Sequence, residues 1–157
     1  MFYYLDSSVL AKRYLNERGT AWVQRIADPA SGHRIVSAAI TEVETAAAIC
    51  ARHRNRDPRL HISLTHRDQL LQQFRRHVRY QYVVITINDL VLKHAANLVT
   101  NYRLRGYDAV QLAAALAANV QLVQAAGSSP MFAAGDNDLR AAAQGEGLSV
   151  VDPNLMP

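Results

Sequence analysis

Asp6, Glu42, Asp108 and Asp136 are the side chains whose types and placing in this sequence suit chemistry. Asp6 directly follows the apolar run Phe2-Tyr3-Tyr4-Leu5, and Asp136 follows the stretch 131–134 with only Gly135 between. Asp108 opens an Ala-rich helical stretch, and Glu42 lies one turn into another, just after the segment 34–37. Carboxylates gathered in one crevice repel one another unless a cation or protons neutralise them. Oxygen-only ligands, with neither cysteines nor a histidine cluster to join them, select Mg²⁺ (or Mn²⁺) rather than zinc. A hard cation held in that way activates water and neutralises charge building on a phosphate, which is the chemistry of phosphodiester hydrolysis. Each acid also has a plainer role. Aspartate is a favoured N-cap, so Asp6, Asp108 and Asp136 can each serve only to satisfy free backbone N–H groups. Glu42 by itself is an ordinary solvated helix residue. The joint pattern carries the metal-site expectation.

The elements that must position these acids follow from apolar periodicity. Strands are expected at 2–5, 34–37, 83–87, 131–134 and 148–151, with the β-branched run 83–87 fully buried. Asp6-Ser7-Ser8 supplies capping chemistry for a helix carrying Val9, Leu10, Arg13, Tyr14 and Leu15 and ended by Gly19. A second helix carries Trp22, Val23 and Ile26. A long one over 39–54 is expected to bury Ile40, Val43, Ala47 and Cys50 along one side. Leu64, Leu70, Leu71 and Phe74 mark the next, and Asn88-Asp89 caps another through Leu90, Leu92, Ala95, Ala96 and Val99. The Ala-rich helix runs from Asp108, and a last one spans 137–144. Strands alternating with helices predict an α/β fold of a single domain over 1–157. Its central sheet is mainly parallel, of about five strands, with helices on both faces. Ligands of such sheets gather beyond the strands' carboxyl ends, which is where Asp6 and Asp136 stand.

The formal charge of +4 and pI near 9.5 suit a polyanionic partner. Arg52, Arg54, Arg56 and Arg59 crowd one stretch and Arg75, Arg76 and Arg79 another, either as solvated helix faces or as a stripe facing RNA. Arg13 and Arg105 are further candidates to draw RNA toward an acidic pocket. Tyr80 and Tyr82 offer rings for stacking on bases or for packing. The single cysteine, Cys50, excludes a disulfide framework and a Cys-rich zinc site, and is read as a small buried hydrophobe. His33, His53, His61, His66, His77 and His94 are scattered and receive no catalytic role. No apolar run approaches the ~20 residues of a membrane span, and the first residues lack a signal pattern, so no membrane and a cytoplasmic setting are expected. No Gly-rich phosphate loop, Gly-x-Ser-x-Gly elbow or His-Glu-x-x-His is present.

Four stretches resemble the motif blocks of PIN domains. They are Tyr4-Leu5-Asp6-Ser7-Ser8, the helix of Glu42, Arg105-Gly106-Tyr107-Asp108-Ala109-Val110-Gln111-Leu112-Ala113, and Phe132-Ala133-Ala134-Gly135-Asp136. The tail from Leu139 through Glu146-Gly147-Leu148 to Pro153-Asn154 is similar to that of VapC-type toxins of toxin–antitoxin pairs. The resemblance implies a metal-dependent endoribonuclease whose metal is held by Asp6, Glu42, Asp108 and Asp136, with Asp6 and Asp108 in direct coordination. It implies that Ser8 orients the first carboxylate or a bound water. Glu44 is the alternative to Glu42, which better matches the family's spacing to Thr45 and Ala46. Asp138 is the alternative to Asp136, which with Leu139 meets the family's Asp-x-x-Leu pattern. The same likeness implies an RNA substrate, a cognate VapB-type antitoxin and a homodimer.

Two other readings stand beside this one. A haloacid-dehalogenase-like phosphatase also begins with a strand and an Asp, but needs a second aspartate two residues on, where this chain has Ser8. A non-catalytic PIN module would keep the fold to bind RNA or protein.

Overall fold

The computed structural model describes residues 1–156. Five strands, β1 (Phe2–Leu5), β2 (Arg34–Ala38), β3 (Tyr82–Ile85), β4 (Met131–Ala133) and β5 (Val150–Val151), form one sheet in the order β3-β2-β1-β4-β5. Every neighbouring pair is parallel, so each connection crosses back over the sheet, and helices make the crossings. The helices are α1 (Ser7–Ala11), α2 (Thr20–Ile26), α3 (Ile40–Arg54), α4 (Leu64–Tyr80), α5 (Asp89–Asn101), α6 (Gly106–Ala126) and α7 (Asn137–Gly145).

Strand alternation sorts the core into two layers. Tyr4, Val36 and Phe132 face α5, α6 and α7, where Leu98, Leu112 and Leu139 are fully buried or nearly so. Leu5, Ile35 and Ala133 face the other way, onto Val9, Leu10, Val23, Ile49 and Phe74 of α1 to α4. The expected α/β architecture with helices on both faces is therefore the observed one. By length and a mean hydropathy of 1.4, α6 is apolar enough to cross a membrane. Here its apolar content serves packing: Ala109, Leu112, Ala113, Ala114, Ala115 and Ala118 are buried against the sheet and its neighbours.

Several local expectations are corrected. β3 is an edge strand and Val84 is exposed, so the β-branched run is only half buried. The stripe expected along α3 is not the buried one. Val43 and Ala47 face solvent, Cys50 is half-buried, and Thr41, Thr45 and Ile49 point inward. α1 stops at Ala11, and Gly19 instead begins α2. Its φ of 86° and its approach to Pro153 explain the glycine, since a Cβ there would stand 2.4 Å from the Pro153 carbonyl oxygen.

Candidate active site

Asp6 sits where β1 ends. Its N–H donates to the Ala133 carbonyl (3.2 Å), extending the β1–β4 pairing by one step and fixing the residue at the sheet's carboxyl edge. Its side chain caps α1, Oδ1 accepting from the Val9 N–H (2.8 Å) and from the Ser8 hydroxyl (2.8 Å). The Ser8 hydroxyl thus holds this carboxylate oxygen in place. The residue is only 6% exposed. Burial pushes its carboxyl up to about 6, against the bonds from Val9 and Ser8, and the charge of Asp108 adds to the rise.

Asp108 lies in the first turn of α6, half-buried. It does not occupy the cap position, which belongs to Arg105, but its side chain takes the Arg105 backbone N–H. Burial raises its carboxyl, as do the charges of Asp136 and Glu44, while the Arg105 guanidinium opposes them. Asp136 caps α7, Oδ1 accepting from the Leu139 N–H (2.9 Å), and is exposed at the end of the β4 loop. Asp138 is exposed and exerts no such influence on Asp108.

The glutamate that meets this group is Glu44, and this corrects the choice of Glu42. Glu42 is exposed and makes no side-chain hydrogen bond or ion pair among the described residues. Two positions further along a helix is about 200° of rotation, so the two glutamates lie on opposite faces. Glu44 Oε2 accepts from Gln111 Nε2 (2.9 Å) and from the Ser7 hydroxyl. Gln111, one turn beyond Asp108 on α6, is the hub of a buried network. Its Oε1 takes the Tyr4 hydroxyl (3.0 Å), and its Nε2 reaches Ser7 Oγ (2.6 Å) and Thr41 Oγ1 (2.9 Å) as well as Glu44. It thereby ties α6 to β1, α1 and α3. Gln111 has no role assigned from the motif it belongs to, and its one sequence signal is a lone amide at helical spacing after Asp108 in an otherwise apolar stretch.

Asp108 thus links the acids: the charges of Asp136 and Glu44 act on it, and its own charge acts on Asp6. The cations expected around them are mostly elsewhere. Arg13 donates to the Tyr82 hydroxyl (2.6 Å) at the start of β3, on the sheet's opposite, amino edge. Arg52 is in the last turn of α3, eight residues and about 12 Å along the helix axis from Glu44 at 1.5 Å per residue, and pairs with Glu17. Arg105 is the cation that acts directly on Asp108. Arg140 lies behind it, donating to the Ala134 carbonyl (2.7 Å) and pairing with Asp152 (3.0 Å), so that it braces the loop carrying Asp136.

The PIN domain profile matches residues 3–143 of this sequence. The chain belongs to the PIN domain family. No curated protein matches it. Among solved structures, VapBC2 from Rickettsia felis bound to a DNA fragment from their promoter aligns with a TM-score of 0.61 at 11% identity, over 97% of this chain and 98% of that one. A toxin–antitoxin complex from Klebsiella pneumoniae aligns at 0.57 with 19% identity, over 96% and 97% of the two chains. PAE2754 from Pyrobaculum aerophilum aligns at 0.53 with 17% identity, over 98% and 92%. At these identities the likeness is one of fold. Membership of the PIN family sets aside the phosphatase reading.

PIN domains are generally dependent on divalent metal. In this PIN domain, no three His, Cys, Asp or Glu side chains among the described residues are gathered tightly enough to enclose an ion. The donor set nevertheless fits a hard cation. It is all oxygen, the Asp6 and Asp108 carboxyls are both raised with neighbouring acids among the causes, and two oxygens, Glu44 Oε1 and Asp136 Oδ2, take no donor among the described residues.

Proposed function

We propose that this PIN domain is a Mg²⁺- or Mn²⁺-dependent endoribonuclease, and the toxin of a VapBC-type toxin–antitoxin pair. The observation that carries the reading is the set of carboxylates coupled through Asp108 at the carboxyl edge of the sheet. PIN domains are typically nucleases, which supports hydrolysis. The likeness in fold to VapBC2 and to a toxin–antitoxin complex supports the toxin assignment and a small antitoxin partner.

Asp6, Asp108 and Glu44 would hold the metal, with Asp136 holding a water or a second ion. Bound there, the cation would polarise the phosphoryl oxygen and acidify the attacking water. The protein's own contribution is orientation. Ser8 and the Val9 N–H fix one oxygen of Asp6, and Gln111 with Ser7 fixes one oxygen of Glu44, leaving the other to face the reaction. Water attack without the 2′-hydroxyl leaves a 5′-phosphate and a 3′-hydroxyl. Homodimerisation is part of the same reading, supported by exposed Leu90, Leu92, Val99, Val120 and Val123 on α5 and α6. So is a cytoplasmic setting.

Purified protein incubated with total RNA and Mg²⁺, followed by sequencing of new 5′ ends, tests it. Discrete 5′-phosphorylated ends are expected, abolished by EDTA and by Asp108→Asn. Metal-independent cleavage, or none with either metal, overturns the assignment in favour of a non-catalytic binding module.

A further inference from the structure

We propose that a groove at the amino edge of β2 and β3 holds a nucleotide of single-stranded RNA, at the end of the sheet away from the acidic cluster. The inference rests on the proposed function only in naming RNA as the polyanion. The groove, of about 390 Å³, is lined by His33, Arg34, Arg79, Tyr80, Gln81 and Tyr82 among others. Arg34, opening β2, and Arg79, near the end of α4, are both exposed, and neither pairs with a carboxylate among the described residues. The Arg79 guanidinium lies 5.3 Å from the centroid of the Tyr80 ring, and Tyr80 is 71% exposed. Gln81 Oε1 is shielded from solvent and has no donor among the described residues.

These features answer to the parts of one ligand. Two unpaired guanidiniums suit phosphate oxygens. An exposed tyrosine beside them stacks on a base, tolerantly of sequence. A carbonyl lacking a donor suits an amino group of a base or a ribose hydroxyl. The surroundings favour a strand over a free nucleotide. Of the chain's 17 Lys and Arg, 13 lie between residues 12 and 79, against six Asp and Glu, of which Glu44 points to the acidic cluster. Arg75 and Arg76 are exposed on α4 beside the groove, and Arg13 lines the neighbouring one, which shares Gln81. Phosphates on either side of the bound nucleotide therefore meet further cations.

Fluorescence anisotropy tests this with a labelled single-stranded RNA of about 12 nucleotides, in EDTA so that nothing is cut. The double variant Arg34→Ala/Arg79→Ala is expected to bind about tenfold more weakly, and its slope of log K against log salt to flatten by about 1.4, at about 0.7 per lost phosphate contact. Tyr80→Ala is expected to weaken binding about fivefold, and Tyr80→Phe to leave it intact. All three positions are solvent-facing, and melting temperatures matching the parent's confirm the fold; Arg34→Gln/Arg79→Gln replaces the double variant if they do not. Unchanged affinity and slope in the arginine variants overturn the proposal. So does equal binding of a DNA duplex, or competition by AMP or inorganic phosphate as strong as that by the strand. The two readings fail separately. Mg²⁺-dependent cleavage together with unaltered binding in the variants removes the groove alone, whereas absent cleavage with binding lost in the variants removes the nuclease alone.

Discussion

Replacing Asp6 by asparagine is expected to stabilise the metal-free protein while abolishing its activity. Burial carries this carboxyl from 3.8 to about 6, so the folded chain holds the proton more tightly than the unfolded one. The stability that this proton brings is whole below about pH 3.8 and is lost as pH rises through about 6. At neutral pH the ionised carboxylate therefore costs the fold about 3 kcal/mol, at 1.36 kcal/mol per tenfold change in proton affinity. Asparagine removes the charge and keeps an Oδ1 acceptor for the Val9 N–H and the Ser8 hydroxyl, both 2.8 Å away in the parent. In EDTA at pH 7.5, Asp6→Asn is expected to melt higher by about 6–12 °C, at about 2–4 °C per kcal/mol for a chain of this length. Adding Mn²⁺ should reverse the order, because a ligand that binds only the folded parent raises its melting temperature and leaves the variant unmoved. A second signature lies in the acid limb. His77 is held down at about 4 by burial and by Arg13 and Arg76, so its contribution, present above about 6.5, is lost as pH falls through about 4. In the parent that loss is offset by the gain from protonating Asp6 over much the same range. In the variant the Asp6 offset is gone, and stability from urea unfolding falls more steeply between pH 6.5 and 4 than in the parent. A variant that melts below the parent in EDTA, or that shares its acid limb, refutes the reasoning about Asp6.

Two further outcomes separate residues with different work to do. Glu44→Gln is expected to lower metal-dependent RNA cleavage about a hundredfold or more, whereas Glu42→Gln, altering an exposed side chain, should stay within about threefold of the parent; initial rates on one RNA decide between them. Arg140→Ala breaks the pair with Asp152, where both side chains are 15% exposed, and frees the Ala134 carbonyl. A loss of about 2–3 kcal/mol in urea unfolding is expected, with a larger fall in cleavage at limiting than at saturating Mg²⁺ because the loop carrying Asp136 is loosened.

Much of the fold was readable because parallel strands covered on both faces announce themselves as short apolar runs, as Phe2–Leu5 and Met131–Ala133 do. The same rule misled at β3. β-branched residues report a preference for extended backbone and say nothing about whether a strand lies at the edge, so the exposure of Val84 could not be read. α3 failed for a related reason. Its apolar residues surround the helix, and the line that turned inward, Thr41, Thr45 and Ile49, is mostly polar. Thr41 is buried because it meets Gln111, 70 residues downstream, and no local pattern carries a partner so remote. The spacing to Thr45 and Ala46 that favours Glu42 says nothing about which face of α3 turns toward Gln111, and Glu44 is the one that does.

The acids were easier to find than the arginines, and the reason is physical. A cap and a metal ligand ask for the same residue in the same place. The two roles, alternatives for Asp6 and Asp136 when the chain is read as a string, do not exclude one another in space. Each residue spends Oδ1 on a helix N–H, and the partial positive charge of the helix end eases the repulsion that comes from standing beside other carboxylates. α1, α6 and α7 all begin near the carboxyl edge of the sheet, so three capping or first-turn aspartates are brought toward one another by the topology that parallel pairing imposes. A surface arginine answers to no such constraint. Arg13 is only seven residues from Asp6, yet it contacts Tyr82 at the far edge, because α1 and the turn after it carry the chain back across the sheet. Sequence proximity to an acid therefore identifies the cation that serves it only where both stand at one helix end, as Arg105, the N-cap of α6, and Asp108 in its first turn do.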